Sequence, residues 1–128
     1  MPIGFLLLLL LSSCSAPAAN HQAALDKYAE ITQSGGSFAG VLTQSALVQA
    51  EASHMLLGDL GYTQRGRARF EIWSSSGTLV SGCLDLSEVV TIDSKGAFLN
   101  LAERRSQFSA TFTSGNLISK FEVSKEKC

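Results

Sequence analysis

Few residues in this chain are of a type that does chemistry. Cys83 lies in "SGCLDLSEVV" (Ser81–Val90), with Gly82 before it and Asp85 two residues after it. A cysteine in such a setting can be a nucleophile, a metal ligand or half of a disulfide. A nucleophilic thiol needs a base beside it, and beyond the N-terminal apolar run histidine occurs only at His21 and His54, neither in a recognisable motif. Zinc sites use Cys and His at short, regular spacings, whereas Cys83 and Cys128 are isolated and far apart. His54 and Asp59 would have to pair to make an acid–base dyad. Five residues apart at a helix end they are poorly aligned, and solvated polar residues are the plainer reading. No catalytic residue and no metal ligand is assigned, and no cofactor is expected.

The remaining cysteine, Cys14, closes "MPIGFLLLLLLSSC". The apolar run Phe5–Leu11 is too short for a bilayer-spanning helix, which needs about 20 residues, but it has the length of a signal-peptide core. "LSSC" (Leu11–Cys14) resembles a bacterial lipobox, in which small residues admit the signal peptidase and the cysteine thiol receives diacylglycerol. An ordinary secretory signal with a coincidental cysteine is the alternative, and no Lys or Arg precedes the run. The expected layout is a lipoprotein signal peptide over 1–13, a lipidated tether over 14–20 and a single domain over 21–128. Each buried acyl methylene adds about 0.8 kcal/mol to membrane partitioning. Several chains on Cys14 would therefore anchor the domain on the outer face of the bacterial cell membrane.

Lipidation of Cys14 leaves Cys83 and Cys128 as the only pair, and an exported compartment permits disulfides. Closing so long a loop stabilises by about 4 kcal/mol in the chain-entropy model, a large term for a small domain. With 10 Lys+Arg against 11 Asp+Glu the net charge is −1, which gives no electrostatic case for a nucleic-acid partner.

The elements that must position these residues come in two blocks. Ala24, Leu25, Tyr28 and Ile31 have helical spacing, with Asn20 as N-cap and Gly35–Gly36 as the stop. A second helical segment is expected from Phe38 to about Leu57, with a break near Thr43–Ser45. Its apolar face is drawn through Phe38, Val41, Leu42, Leu47, Val48, Met55 and Leu56. Gly58 and Gly61 punctuate, and beyond Arg65 the period becomes alternating. Ala68, Phe70 and Ile72 form one face of a strand, followed by a turn at Ser74–Gly77 and the strand bearing Cys83. Further turns fall at Asp93–Gly96 and Thr113–Asn116, between strands that carry Phe108, Ala110, Phe112 and then Phe121. Helices followed by an antiparallel meander of about four strands give an α+β domain, with N-terminal helices packed on one face of a curved sheet.

Taken together, "HMLLGDLGYTQRGRARFEIW", "GTLVSGCLDLSEVVTIDSKG" and the terminal "FEVSKEKC" resemble a family of small exported actinobacterial lipoproteins with a nuclear transport factor 2-like (cystatin-like) fold. The resemblance covers roughly residues 22 to 128. It implies a cone, with helices wrapped round a strongly curved sheet that encloses a pocket. It implies no activity. Some members of the wider superfamily are enzymes that use an Asp–His pair or a buried acid; the acids near strands here are Glu71, Asp85 and Glu88.

The candidate pocket or binding residues are His54, Asp59, Asp85, Arg67 and Arg69. Asp85 is expected to bond a turn amide or "TQRGR" before doing chemistry. Arg67 and Arg69, in "QRGRAR", could touch anionic lipid or cell-wall polymer; a solvated edge that discourages strand pairing is the alternative. "ERR" (Glu103–Arg105) reads the same way. The expectation is a membrane-anchored, non-enzymatic binding or accessory module of the cell envelope, with an envelope protein or a small apolar ligand as partner. The alternative is a small-molecule enzyme that uses the cone-shaped pocket.

Overall fold

The computed structural model describes residues 17–99 and 104–128, with side chains from Asn20 onward; Cys14 and the signal segment lie outside the described residues. The chain folds as α1 (Pro17–Ser34), a 3-10 turn (Phe38–Gly40), α2 (Gln44–Leu60), and strands β1 (Thr63–Arg65), β2 (Arg69–Ser76), β3 (Leu79–Asp85), β4 (Val90–Ile92), β5 (Phe98–Leu99), β6 (Arg105–Phe112) and β7 (Ile118–Lys127). The strands make two antiparallel sheets, one of four in the order β2-β3-β6-β7 and a smaller one of three in the order β1-β4-β5. The helices pack on them, α1 against β2 and α2 against β7. The fold is α+β, with one more sheet than the sequence pattern suggests. The second sheet was hidden because its strands are only two or three residues long.

Two helical boundaries differ from expectation. α1 begins at Pro17, so the tether expected to reach residue 20 is helical from Pro17 onward. Proline suits a first helical position, where its fixed φ is already helical and its missing N–H is no loss. Asn20 is therefore inside the helix, and its carbonyl accepts from Asn116 Nδ2 at 3.1 Å. The expected break in the second helix is real but falls at 41–43. There the chain pairs with the edge of β7: Ile118 N–H donates to Val41 O at 2.9 Å, and Thr43 N–H to Ile118 O at 2.8 Å. Helix α2 then runs three residues past Leu57 and ends at Gly61, whose φ of 72° suits the left-handed cap.

The inner face of the large sheet follows from strand alternation. Phe70 pairs with Leu84, Val80 with Ala110, and Ala110 with Phe121. These residues, with Leu25, Ala29, Leu42 and Ile118, form or border the hydrophobic core. The β2–β3 register shifts between Ile72 and Ser74, opposite Gly82, where an added Cβ would lie 1.8 Å from the Glu71 carbonyl oxygen. A bulge facing a glycine bends a strand and lets its neighbour's backbone close in.

Cys83 points to the other face of β3, is buried, and is bonded to Cys128 with the Cα atoms 5.9 Å apart. Strand β6 lies between β3 and β7, so the end of the chain must cross the outer side of β6 to reach Cys83. The β6–β7 register slips between Ser106 and Phe108, and Gln107 Nε2 donates to Lys127 O at 3.2 Å along that crossing.

Helix α1 is seated by His21, which is buried, stacks on Phe112 with ring centroids 4.1 Å apart, and places Nδ1 3.3 Å from Ser75 Oγ. Burial lowers its pKa below the usual 6.5. The unfolded chain therefore takes up a proton at higher pH than the folded one. This contribution is complete above about pH 6.5 and is lost as pH falls from there towards the lowered folded value. Thermal unfolding followed between neutral pH and mildly acidic pH should show a falling Tm, and His21→Phe should flatten that slope while keeping the stack on Phe112. For the bridge, Cys128→Ser should lower unfolding stability by up to about 4 kcal/mol in urea titrations. Non-reducing peptide mass spectrometry should recover the residue 83 and residue 128 peptides as one species; free thiols at both would refute it.

Candidate functional site

Helix α2 positions the site through an inverted distribution of side-chain size. Ala46, Ala50, Ser53, His54 and Leu57 recur at helical spacing and share the side facing the sheet. Three of the five are small. The larger apolar residues Val48, Met55 and Leu56, expected on the core face, are exposed at 65%, 66% and 58%. Tyr28, Phe38 and Phe121 border the space beside the small face: Tyr28 lies 6.2 Å from Phe38 and 5.5 Å from Phe121 between ring centroids. Small residues facing a gap leave it unfilled.

Two adjoining lobes open here. The outer lobe, about 410 Å³, lies between α2, Tyr28, Phe38 and the middle of β7, and includes Gln49, Ser53, His54 and Gln64 in its wall. The inner lobe, about 250 Å³, is bounded by Ala29, Ala68, Phe70, Leu84, Leu86 and Val89. Tyr28, Thr32, Gln64, Phe121 and Val123 line both, so the two lobes share a wall. Gln49, Ser53 and His54 are exposed whereas Ala29, Phe70, Leu84 and Val89 are buried. The outer lobe is therefore the more polar and the inner one the more apolar, although exposed Gln33 also borders the inner lobe.

The far wall is built by backbone contacts. Gly66, with φ of 84°, lies so near the 88–89 backbone that an added Cβ would be 1.8 Å from Glu88 O. Arg104 holds the loop that carries Leu86 and Val89: its Nη2 donates to Leu86 O, Ser87 O and Val89 O at 3.2, 2.9 and 2.9 Å. Arg104 had been grouped with a solvated charge run in the sequence; the contacts correct that reading. Tyr28 is partly buried, and burial raises its phenol pKa, so it stays protonated at neutral pH.

The candidate residues separate. His54 lines the outer lobe, with its ring edge-on to Phe38 at 6.0 Å. Asp59 is exposed, one helical turn beyond, and is not part of the lining. Asp85 accepts from the Ser87 amide at 2.8 Å and from the Ser87 hydroxyl. Those two bonds, with the positive charges of Arg105 and Arg69, hold its carboxylate below the usual range. It shapes the turn after β3 and lies outside the cavity. Arg67 Nη2 donates to Asp26 O at 3.1 Å, and Arg69 pairs with Glu88 at 2.8 Å. Both are spent on structure at the outer surface. No group of Asp, Glu, His and Cys with metal-binding geometry occurs among the described residues. Sequence reasoning missed Tyr28, Gln64 and Phe121 as wall residues, although the small residues at 46, 50 and 53 were a signal that α2 could not pack closely.

Comparison of the chain with protein-family models, with curated proteins and with solved structures finds no match.

Arg104 offers a direct test of the wall. Hydrogen bonds from a charged donor contribute about 1.5–3 kcal/mol each when well formed and less when partly solvated. Arg104→Ala should therefore cost about 1–3 kcal/mol in chemical denaturation and speed amide hydrogen exchange across residues 86–89. Unchanged exchange there would show that the guanidinium does not hold the loop.

Proposed function

We propose that the chain is an exported, lipid-anchored binding module of the bacterial cell envelope. In this reading a nuclear transport factor 2-like cone encloses its cavity, and the cavity takes a small apolar ligand. The observation that carries the reading is the space beside α2, with an apolar inner lobe next to a more polar outer lobe of about 410 Å³, within the usual range for small-molecule sites. A helix that turns Ala46 and Ala50 inward and Met55 and Leu56 outward leaves room at the expense of packing. The Cys83–Cys128 bridge suits an oxidising compartment outside the cytoplasm. The lipobox-like "LSSC" supplies the attachment point at Cys14.

Binding is preferred to catalysis because the pair that an acid–base reaction would need is split, with His54 in the outer lobe and Asp59 outside the lining. Two measurements test the proposal. Exported Cys14→Ser protein should take up Nile red saturably, and Ala68→Phe, which fills the inner lobe, should weaken uptake by about tenfold. Absence of saturable uptake by the unfilled protein would end the binding reading. Cells fed labelled palmitate should label the wild-type chain and not Cys14→Ser; equal labelling of both would end the anchor.

A further inference from the structure

Among the described residues, none of the side chains lining either lobe is Asp, Glu, Lys or Arg, in a chain that is 16% charged. The charges nearby are turned to other uses at the surface, as with Arg69 and Glu88, or Arg67 and the Asp26 carbonyl. An ionised ligand group drawn into the hollow would lose water and gain no counter-charge, which is costly. An uncharged hydrogen-bonding group would fare differently. In the wall the lobes share, Gln64 donates Nε2 to Thr91 Oγ1 at 3.3 Å, and its carbonyl oxygen keeps its lone pairs as acceptor. Thr32 donates its hydroxyl to Tyr28 O at 3.0 Å and keeps its lone pairs. The Tyr28 hydroxyl makes no hydrogen bond within the described residues, and its ring lines both lobes. The shared wall thus carries one donor and two acceptors, beside an apolar inner lobe bounded by Ala29, Phe70, Leu84 and Val89.

We infer that the ligand is an uncharged amphiphile: a single apolar body fills the inner lobe, and a hydroxyl or comparable neutral head lies at the junction between Tyr28, Thr32 and Gln64. The inference rests on the binding reading and specifies its ligand class. A hydroxyl suits the junction because it can accept from Tyr28 while it donates to the Gln64 carbonyl. A carboxylate could accept from Tyr28 but would meet the Gln64 carbonyl with like polarity, and an ammonium would have only acceptors and no anion.

The test is displacement of Nile red from exported Cys14→Ser protein by three nine-carbon probes with the same tail: 1-nonanol, nonanoate and nonylammonium. At about pH 8 the acid is ionised and the amine protonated. Nonanol should compete about tenfold or more tightly than either ion. Tyr28→Phe keeps the ring and removes the donor, so it should weaken nonanol about fivefold and leave nonanoate no better than before. Gln64→Leu should do the same from the acceptor side. If nonanoate or nonylammonium matches nonanol, the neutral-head assignment is overturned while saturable Nile red uptake keeps the binding reading. If Nile red itself does not bind saturably, both fall. An undiminished nonanol affinity in both variants would overturn the placement of the head at this junction.

Discussion

The structure depends on a cluster of aromatic rings between α1 and the large sheet. Phe70 of β2, Phe108 of β6 and Phe121 of β7 lie 5.2 to 5.9 Å apart between centroids, and Tyr28 of α1 closes on Phe121 at 5.5 Å. Each such pair adds about 0.5–1.5 kcal/mol beyond the area it buries. The rings tie together three strands that are not all neighbours, since β3 separates β2 from β6. Most of them also line the space beside the cluster. Where α2 meets the sheet it does so through the small buried Ala46 and Ala50, while Tyr28 and Phe38 stand beside that contact and border the open space. The cavity is therefore bordered by the cluster as much as by the helix.

On the opposite face of the sheet a second constraint acts. Within β3, Val80 and Leu84 point to the rings while Cys83 points away, so one strand is held by packing on one side and by the Cys128 bridge on the other. The bridge holds the C-terminal end of β7, while the 41–43 segment and the start of α2 hold its first residues, Ile118 and Ser119. Since β7 carries Phe121 and Val123 into the cavity wall, fraying of that strand would open the site. Packing, bridge and site are linked through this strand.

The sequence carried the order of elements, the alternation in β2, β6 and β7, both later turns and the cysteine pair. Each is written in local spacing or in simple elimination. What it could not carry depends on three-dimensional neighbours. Val48, Met55 and Leu56 look like a core face because large apolar residues at helical spacing normally are. Their exposure depends on which side of α2 the chain fixes to β7. The smaller sheet has strands too short for a periodic signal. Arg104 reads as a surface charge because three carbonyl acceptors on a loop fifteen or more residues away in the chain leave no trace in its own surroundings. Tyr28 and Gln64 share a wall only because α1 and β1 both border the same gap.

The orientation of α2 explains why the gap persists. Rotating the helix about its axis would bring Val48, Met55 and Leu56 inward, and burying side chains of this size is worth about 1.5–3 kcal/mol each. Such a rotation is opposed at the helix entrance. Leu42 pairs with Ile118 in a parallel bridge, Thr43 N–H bonds Ile118 O, and Ser45 Oγ bonds Ser119 O at 3.1 Å. Those contacts fix the first turn against β7, and a rigid helix transmits that angle to Ser53, His54 and Leu57. At the other end Gly61 N–H caps Gly58 O at 3.0 Å and turns the chain straight into β1. With both ends fixed, the large side chains stay outside and the small ones keep the hollow open. A chain under selection for packing alone would need only to exchange those two sets of residues. Their present placement keeps a two-ended, charge-free space beside Tyr28 and Gln64, which is the property a site for a neutral ligand requires.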